Sequence, residues 1–155
     1  MEKLGLNKSF FEVSLNKYDD LLVLNCSDLS VFEKFKDLYD NVDEIAKSAN
    51  KEIDRLNAKA EEDGSDKTED FMDYVKVNVD FSTRVLEELD KVFGDGFTKK
   101  VFREHYELNP DYVPDEIEIA ELLESLIPIM EKAYGERIKR TREKYNPAKR
   151  GKRHA

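Results

Sequence analysis

The sequence predicts a mainly α-helical protein: a short N-terminal β-hairpin, a long antiparallel helical hairpin, a short helix and a long C-terminal helix. Three observations predict it. Apolar residues recur at seven-residue steps from Phe32 to Ala60, the mark of a long amphipathic helix. Strict apolar–polar alternation is confined to the neighbourhood of Phe11, Val13 and Leu15. Glycine and proline cluster at a few points (Gly64, Gly94, Gly96, Pro110, Pro114) that separate the helical stretches. With 155 residues the chain suits a single domain, 1–145, followed by a disordered basic tail, 146–155.

In order, Phe11, Val13 and Leu15 predict a half-buried strand, residues 16–20 a polar turn and residues 21–26 a second short strand. A lone hairpin is marginal in water, so its apolar face must lie on something else. Ser27, Asp28 and Ser30 offer helix caps, and Ser30 with Glu33 has capping-box spacing. Behind them Phe32, Tyr39, Ala46, Ile53 and Ala60 form one heptad row and Phe35, Val42, Ala49 and Leu56 another, with Leu38 and Ile45 widening the seam. A helix is expected over 28–62. Residues 61–68 read as a loop, and Thr68 with Glu69 and Asp70 as the start of a second helix running to Phe93. Its apolar positions are Phe71, Tyr74, Val75, Phe81, Val85, Leu89 and Val92; Asn78 falls on the same face, either fixing register or half exposed. Gly94 and Gly96 then act as a structural turn. Phe97, Val101 and Phe102 predict a short helix of two turns, and residues 107–114 a loop. Asp115 with Glu118 caps a last helix whose stripe is Ile119, Leu122, Leu123, Leu126, Met130, Ala133, Tyr134 and Ile138. Pro128, which removes one backbone donor, is expected to kink it.

Charge narrows the function. Charged residues make up 39% of the chain and the net charge is −9. From residue 137 onward there are nine Lys/Arg and one acid, leaving 17 basic and 34 acidic residues, a net of −17, in the first 136. Such a body repels phosphate and favours solubility or cationic partners. The basic end (Arg137, Arg140, Lys149, Arg150, Lys152, Arg153) reads either as a solubilising surface or as a docking segment for an acidic partner or nucleic acid. Residues 1–16 include Glu2 and Glu12 and lack the apolar core of a signal peptide, and the longest apolar run, 21–24, is too short for a membrane. A cytoplasmic protein without membrane contact is expected.

Catalytic and cofactor signatures do not emerge. His105 and His154 are far apart and lack a Cys at zinc spacing. Gly64 follows Lys59, Glu61 and Asp63, which is wrong for the first ligand of a calcium loop. Gly94 and Gly96 match no phosphate-loop spacing. Cys26 and His105 would be the sole candidates for a dyad, with no orienting group apparent. The expectation is a non-enzyme with no cofactor and no metal.

The C-terminal part carries a resemblance. A helix ending in Val92-Phe93-Gly94-Asp95-Gly96 precedes a short helix with Val101 and Phe102 and a proline-containing loop. Then come residues 122–130 around Pro128, and a stretch from Glu136-Arg137-Ile138 to Lys144-Tyr145-Asn146 with a basic end. This order resembles the tail assembly chaperones of siphophages and prophages of Firmicutes. In layout the resemblance covers most of the chain, and in residues about 92–145. It implies a non-enzymatic role in the bacterial host cytoplasm: binding and solubilising the tape-measure protein, assisting tail-tube assembly around it, and absence from the finished virion. Many members of that family have a frameshifted longer form. The client surface expected here is Leu123, Ile127, Met130 and Tyr134, with the same residues as plain core the competing reading. Two alternatives stand beside it: a scaffold that self-associates through the 32–60 heptads into a homo-oligomer, and a nucleic-acid-associated regulator using residues 137–153, which the acidic body disfavours.

Overall fold

The computed structural model describes residues 1–5, 9–63 and 67–145, without the side chains of 63 and 67–69. Strands β1 (Phe10–Ser14) and β2 (Leu21–Asn25) pair antiparallel, with Phe10 opposite Asn25 and Ser14 opposite Leu21. Period-two alternation sends Phe11, Val13, Leu22 and Leu24 into the core and leaves Phe10, Leu21 and Val23 exposed. The two-stranded ribbon is stabilised by that docking and by its turn. Asn16 Nδ2 donates to Asp20 Oδ2 (2.7 Å) and to the Lys100 carbonyl (2.7 Å). Arg103 donates to Asp20 (3.0 Å) and lies 4.1 Å from the ring centroid of Tyr18, whose hydroxyl donates to Glu107 (2.7 Å). The Asn16 hydrogen bond, and after it that of Arg103, holds the Asp20 carboxyl below its ordinary range.

Helix α1 (Leu29–Asp63) starts at Asp28, whose carboxylate accepts the Ser30 N–H (3.0 Å) and the Ser30 hydroxyl (2.6 Å). Asp28, not the Ser30–Glu33 pair, is therefore the cap: Ser30 is already inside the helix and spends its hydroxyl on Asp28. Helix α2 (Lys67–Phe93) returns antiparallel. Asn41 donates to Glu88 (3.0 Å) near one end of the pair, and the Tyr74 hydroxyl donates to Asn57 near the other. Leu38, Ile45 and Leu56 are the buried centre of the α1 seam, while both heptad rows other than Leu56 are half-buried. The seam is broad because α1 serves two neighbours, α2 and the last helix.

Gly94 (φ 107°) and Gly96 (φ 83°) reverse the chain in the left-handed region, where a side chain is strained. Asp90, in the last turn of α2, accepts the Thr98 N–H (2.9 Å) and so caps the next helix from outside. The expected two-turn helix is divided at Phe102 into α3 (Phe97–Val101) and α4 (Arg103–Leu108). Phe102 itself is buried, and its ring lies 5.9 Å from that of Tyr112. His105 stacks on Tyr112 at 4.5 Å, and the Tyr112 hydroxyl donates to Glu118 (2.7 Å). Burial, then Glu118, pushes the Tyr112 phenol well above its ordinary value.

Helix α5 (Glu116–Tyr145) starts as expected, with the Glu118 N–H donating to Asp115 (2.9 Å). It continues through Pro128 as one element. Pro128 and Glu124 are both exposed, so water reaches the turn in which the Glu124 carbonyl loses its usual donor. Ile119, Leu123, Leu126, Met130 and Ala133 are buried at alternating four- and three-residue steps. On α1, Tyr39 donates to the Leu123 carbonyl (2.5 Å), and Phe32 meets Tyr134 edge-on at 5.1 Å. The core gathers the inner face of the hairpin, α3, α5 and one half of the α1–α2 pair. On α1 it reaches to Ile45, and on α2 it begins at Phe81.

Candidate functional site

Beyond Ile45 and Phe81 the same two helices run on, and their apolar rows run on with them. On α1 the row Phe32, Tyr39, Ala46, Ile53, Ala60 keeps one flank. Phe32 and Tyr39 meet α5, whereas Ala46, Ile53 and Ala60 lie past the core and are half-buried. On α2 the row Leu89, Val85, Ser82, Asn78, Val75, Phe71 holds alternating four- and three-residue steps. Leu89, Val85 and Ser82 are buried, at 0%, 0% and 1% exposure, while Val75 is 39% and Phe71 64% exposed and Asn78 is open to solvent. The α2 row thus passes from buried to exposed beyond Ser82, whereas the α1 row stays half-buried along its whole length but leaves the core after Tyr39. The proximal half is a three-helix arrangement and the distal half has two helices with the place of the third open.

Phe71 and Val75 were expected among the apolar packing positions of α2; the fold leaves them at the surface because α5 does not extend alongside them. Met72 (58% exposed) borders the same flank, and Val79 (41%) turns towards the groove on the other side of the pair. Fully burying side chains of this size is worth about 1.5–3 kcal/mol each, and each is already partly covered, so roughly 1 kcal/mol apiece remains to be gained on docking. A contiguous patch of this kind marks an interaction surface more often than chance exposure does.

Charge is sorted around this flank. On α1 the positions just outward of Ala46, Ile53 and Ala60 are Asp43, Asn50, Asp54, Asn57 and Glu61, all exposed. Lys51, Arg55 and Lys59, at four-residue steps, turn progressively to the other side. Arg55 there pairs with Glu52 (2.5 Å), and Lys47, nearer the rim, pairs with Asp43 (3.0 Å). That other side of the pair holds a groove of about 690 Å³, lined by Leu56, Val77 and Phe81 and by charges of both signs. None of the residues of the two α5-facing rows lines it.

The four residues expected to bind a client divide. Leu123 (9% exposed) and Met130 (4%) are core, whereas Ile127 (39%) and Tyr134 (43%) sit at the exposed margin of the same stripe. Tyr134 is engaged by Phe32 and by the Arg137 guanidinium, 5.7 Å from its ring. Arg140 donates to Ser27 (2.5 Å), tying the basic part of α5 to the end of the β-hairpin. Lys149, Arg150, Lys152 and Arg153 lie outside the described residues, as does the turn expected at Asn146 and Pro147. Cys26 is buried in the core and His105 is held by Tyr112 on α4, so the two have separate surroundings. Among the described residues no cluster of His, Cys, Asp and Glu could hold a metal ion, and no helix is long and apolar enough to cross a membrane.

In the sequence the distal flank has the same three- and four-residue spacing as the buried part, so spacing does not mark it as exposed. Helix α1 is about 52 Å long and α5 about 45 Å at 1.5 Å per residue, but the buried stripe of α5, Ile119 to Ala133, spans only about 21 Å. The buried stripe of α5 therefore covers only part of the apolar seam of the pair. Compared with protein-family models, curated proteins and solved structures, the chain finds no match.

Proposed function

We propose that this protein is a non-enzymatic assembly chaperone of the phage-tail kind that its C-terminal part resembles. It holds apolar helices of a tape-measure protein in solution and assists tail-tube assembly in the host cytoplasm. The observation that carries this reading is the uncovered apolar flank of the distal α1–α2 pair, Phe71 and Val75 above all, which continues the seam that α5 fills elsewhere. A helix-in-groove mode needs such a flank, and an acidic body keeps the complex soluble. Co-expression with a tape-measure fragment is expected to yield a soluble complex; failure of pull-down in both directions counts against the reading. Self-association through the 32–60 heptads, which other than Leu56 are only half-buried, is the second reading. A tight dimer in sedimentation, insensitive to client, supports it instead.

A further inference from the structure

We infer that the open place beside the distal α1–α2 pair receives one helix of another protein. That helix is about 15 residues long, amphipathic, and cationic along the flank that meets α1. The inference rests on the helix-holding reading above and adds the location, length and chemistry of the occupant.

Continuity gives the location. The Phe32–Tyr39 flank of α1 is in contact with α5, and the Ser82–Leu89 row of α2 is buried in the core that α5 completes. Ala46, Ile53 and Ala60 prolong the first row, and Asn78, Val75 and Phe71 prolong the second. A helix on the line of α5, beyond its Glu116 end, therefore meets both rows in the geometry α5 itself uses, with apolar residues at alternating four- and three-residue steps. Alanines at 46 and 60 let its backbone approach closely. The distance from Ala46 to Ala60 is about 21 Å, which a helix of about 15 residues spans.

Charge gives the chemistry. The α1 rim presents Asp54 and Glu61 with Asn50, while Asp43 is paired with Lys47 and Asn57 accepts the Tyr74 hydroxyl from α2. On α2 Met72 borders the row, whereas Lys76, Val79 and Thr83 line the groove on the other side of the pair. Lys or Arg on the α1-facing flank of the occupant is complementary, whereas a second copy of this chain would bring its own acidic row against the first. Asn78, a polar residue in an otherwise apolar stretch, sets register by favouring a polar residue opposite.

The test uses the full chain and a fluorescein-labelled synthetic 15-residue peptide. It carries Leu at four- and three-residue steps and Lys on one flank. A Glu-flanked version and a scrambled Lys peptide serve as comparators, in physiological salt. The Lys-flanked helix is expected to bind at least about tenfold more tightly than either comparator, and Val75→Glu to weaken it by a similar factor, equivalent to about 1.4 kcal/mol. The double variant Asp54→Lys, Glu61→Lys is expected to reverse the preference towards the Glu-flanked peptide. Unchanged melting temperatures check that the variants fold. Equal binding of the scrambled peptide, indifference to Val75→Glu, or a Val75-dependent dimer that excludes the peptide would each overturn the inference. Retention of a tape-measure fragment by Val75→Glu overturns this site while leaving the chaperone reading intact. Peptide binding as expected, without tape-measure capture by the unaltered chain, keeps the site and removes that reading.

Discussion

The two halves of the α1–α2 pair share a sequence pattern and differ in what covers it. In the proximal half Leu38, Val85 and Leu89 are buried beneath the β-hairpin and α5; in the distal half Phe71 and Val75, on the same row of α2, face solvent. Pattern decides which flank of a helix is apolar, and where the neighbour's buried stripe lies decides how much of that flank becomes core. The proximal half carries the buried core, and the distal half of α2 leaves its apolar row at the surface.

Substitutions across that boundary sharpen the comparison. Leu89→Ala, at a fully buried position, is expected to cost about 3 kcal/mol in denaturant unfolding. Phe71→Ala, on the same row, is expected to change stability by less than about 0.5 kcal/mol. Comparable losses at the two sites would mean that the distal flank is also core. Next in size are Gly94→Ala and Gly96→Ala, each expected to cost about 1 kcal/mol, since both glycines have φ in the left-handed region. An added Cβ has open space at either position, so the loss reports backbone strain without a clash. Tyr39→Phe removes the bond to the Leu123 carbonyl that ties α1 to α5, and about 1 kcal/mol is expected from thermal melts. No corresponding tie from α5 crosses the distal half among the described hydrogen bonds, so Tyr74→Phe tests only the α1–α2 contact there.

The smallest effect is a pH dependence in the clasp of the hairpin turn on α3 and α4. The Asp20 carboxyl is held low by Asn16 and Arg103, so its folded pKa lies below its unfolded value of about 3.8. Its contribution is fully present above that value and is lost as pH falls through the folded pKa. Asp20→Asn is expected to flatten the part of the acid-unfolding curve below pH 4, with no effect on the distal helices. An unchanged acid limb would show that the clasp is electrostatically idle.

Much of this arrangement was legible in the residues. The alternation at Phe11 and Val13, the heptads from Phe32 and the Asp115–Glu118 cap correspond to β1, α1 and the start of α5, because local period and capping chemistry are written in adjacent positions. Tertiary coverage is written nowhere locally. Three- and four-residue spacing placed Leu123, Ile127, Met130 and Tyr134 on one stripe but could not separate its buried centre from its exposed margin. The same spacing placed Phe71 and Val75 with Leu89. The break at Phe102 arises from burial of its ring beside Tyr112, a contact across the loop that propensity does not register. Ser30 has the right residue type and spacing for a cap, yet Asp28 takes the role with a stronger acceptor.

The most direct test of the distal half as reserved binding surface is residue-resolved hydrogen exchange on the full chain, alone and with the Lys-flanked peptide. In the free protein, amides of 46–60 and 70–80 are expected to exchange at least about tenfold faster than those of 82–93 and 119–133, since fewer buried contacts resist local opening. With peptide bound, protection is expected to rise in 46–60 and 70–80 and to stay constant elsewhere. Equal protection of the two halves in the free chain, or a peptide footprint on α5 in place of the distal pair, would contradict the account.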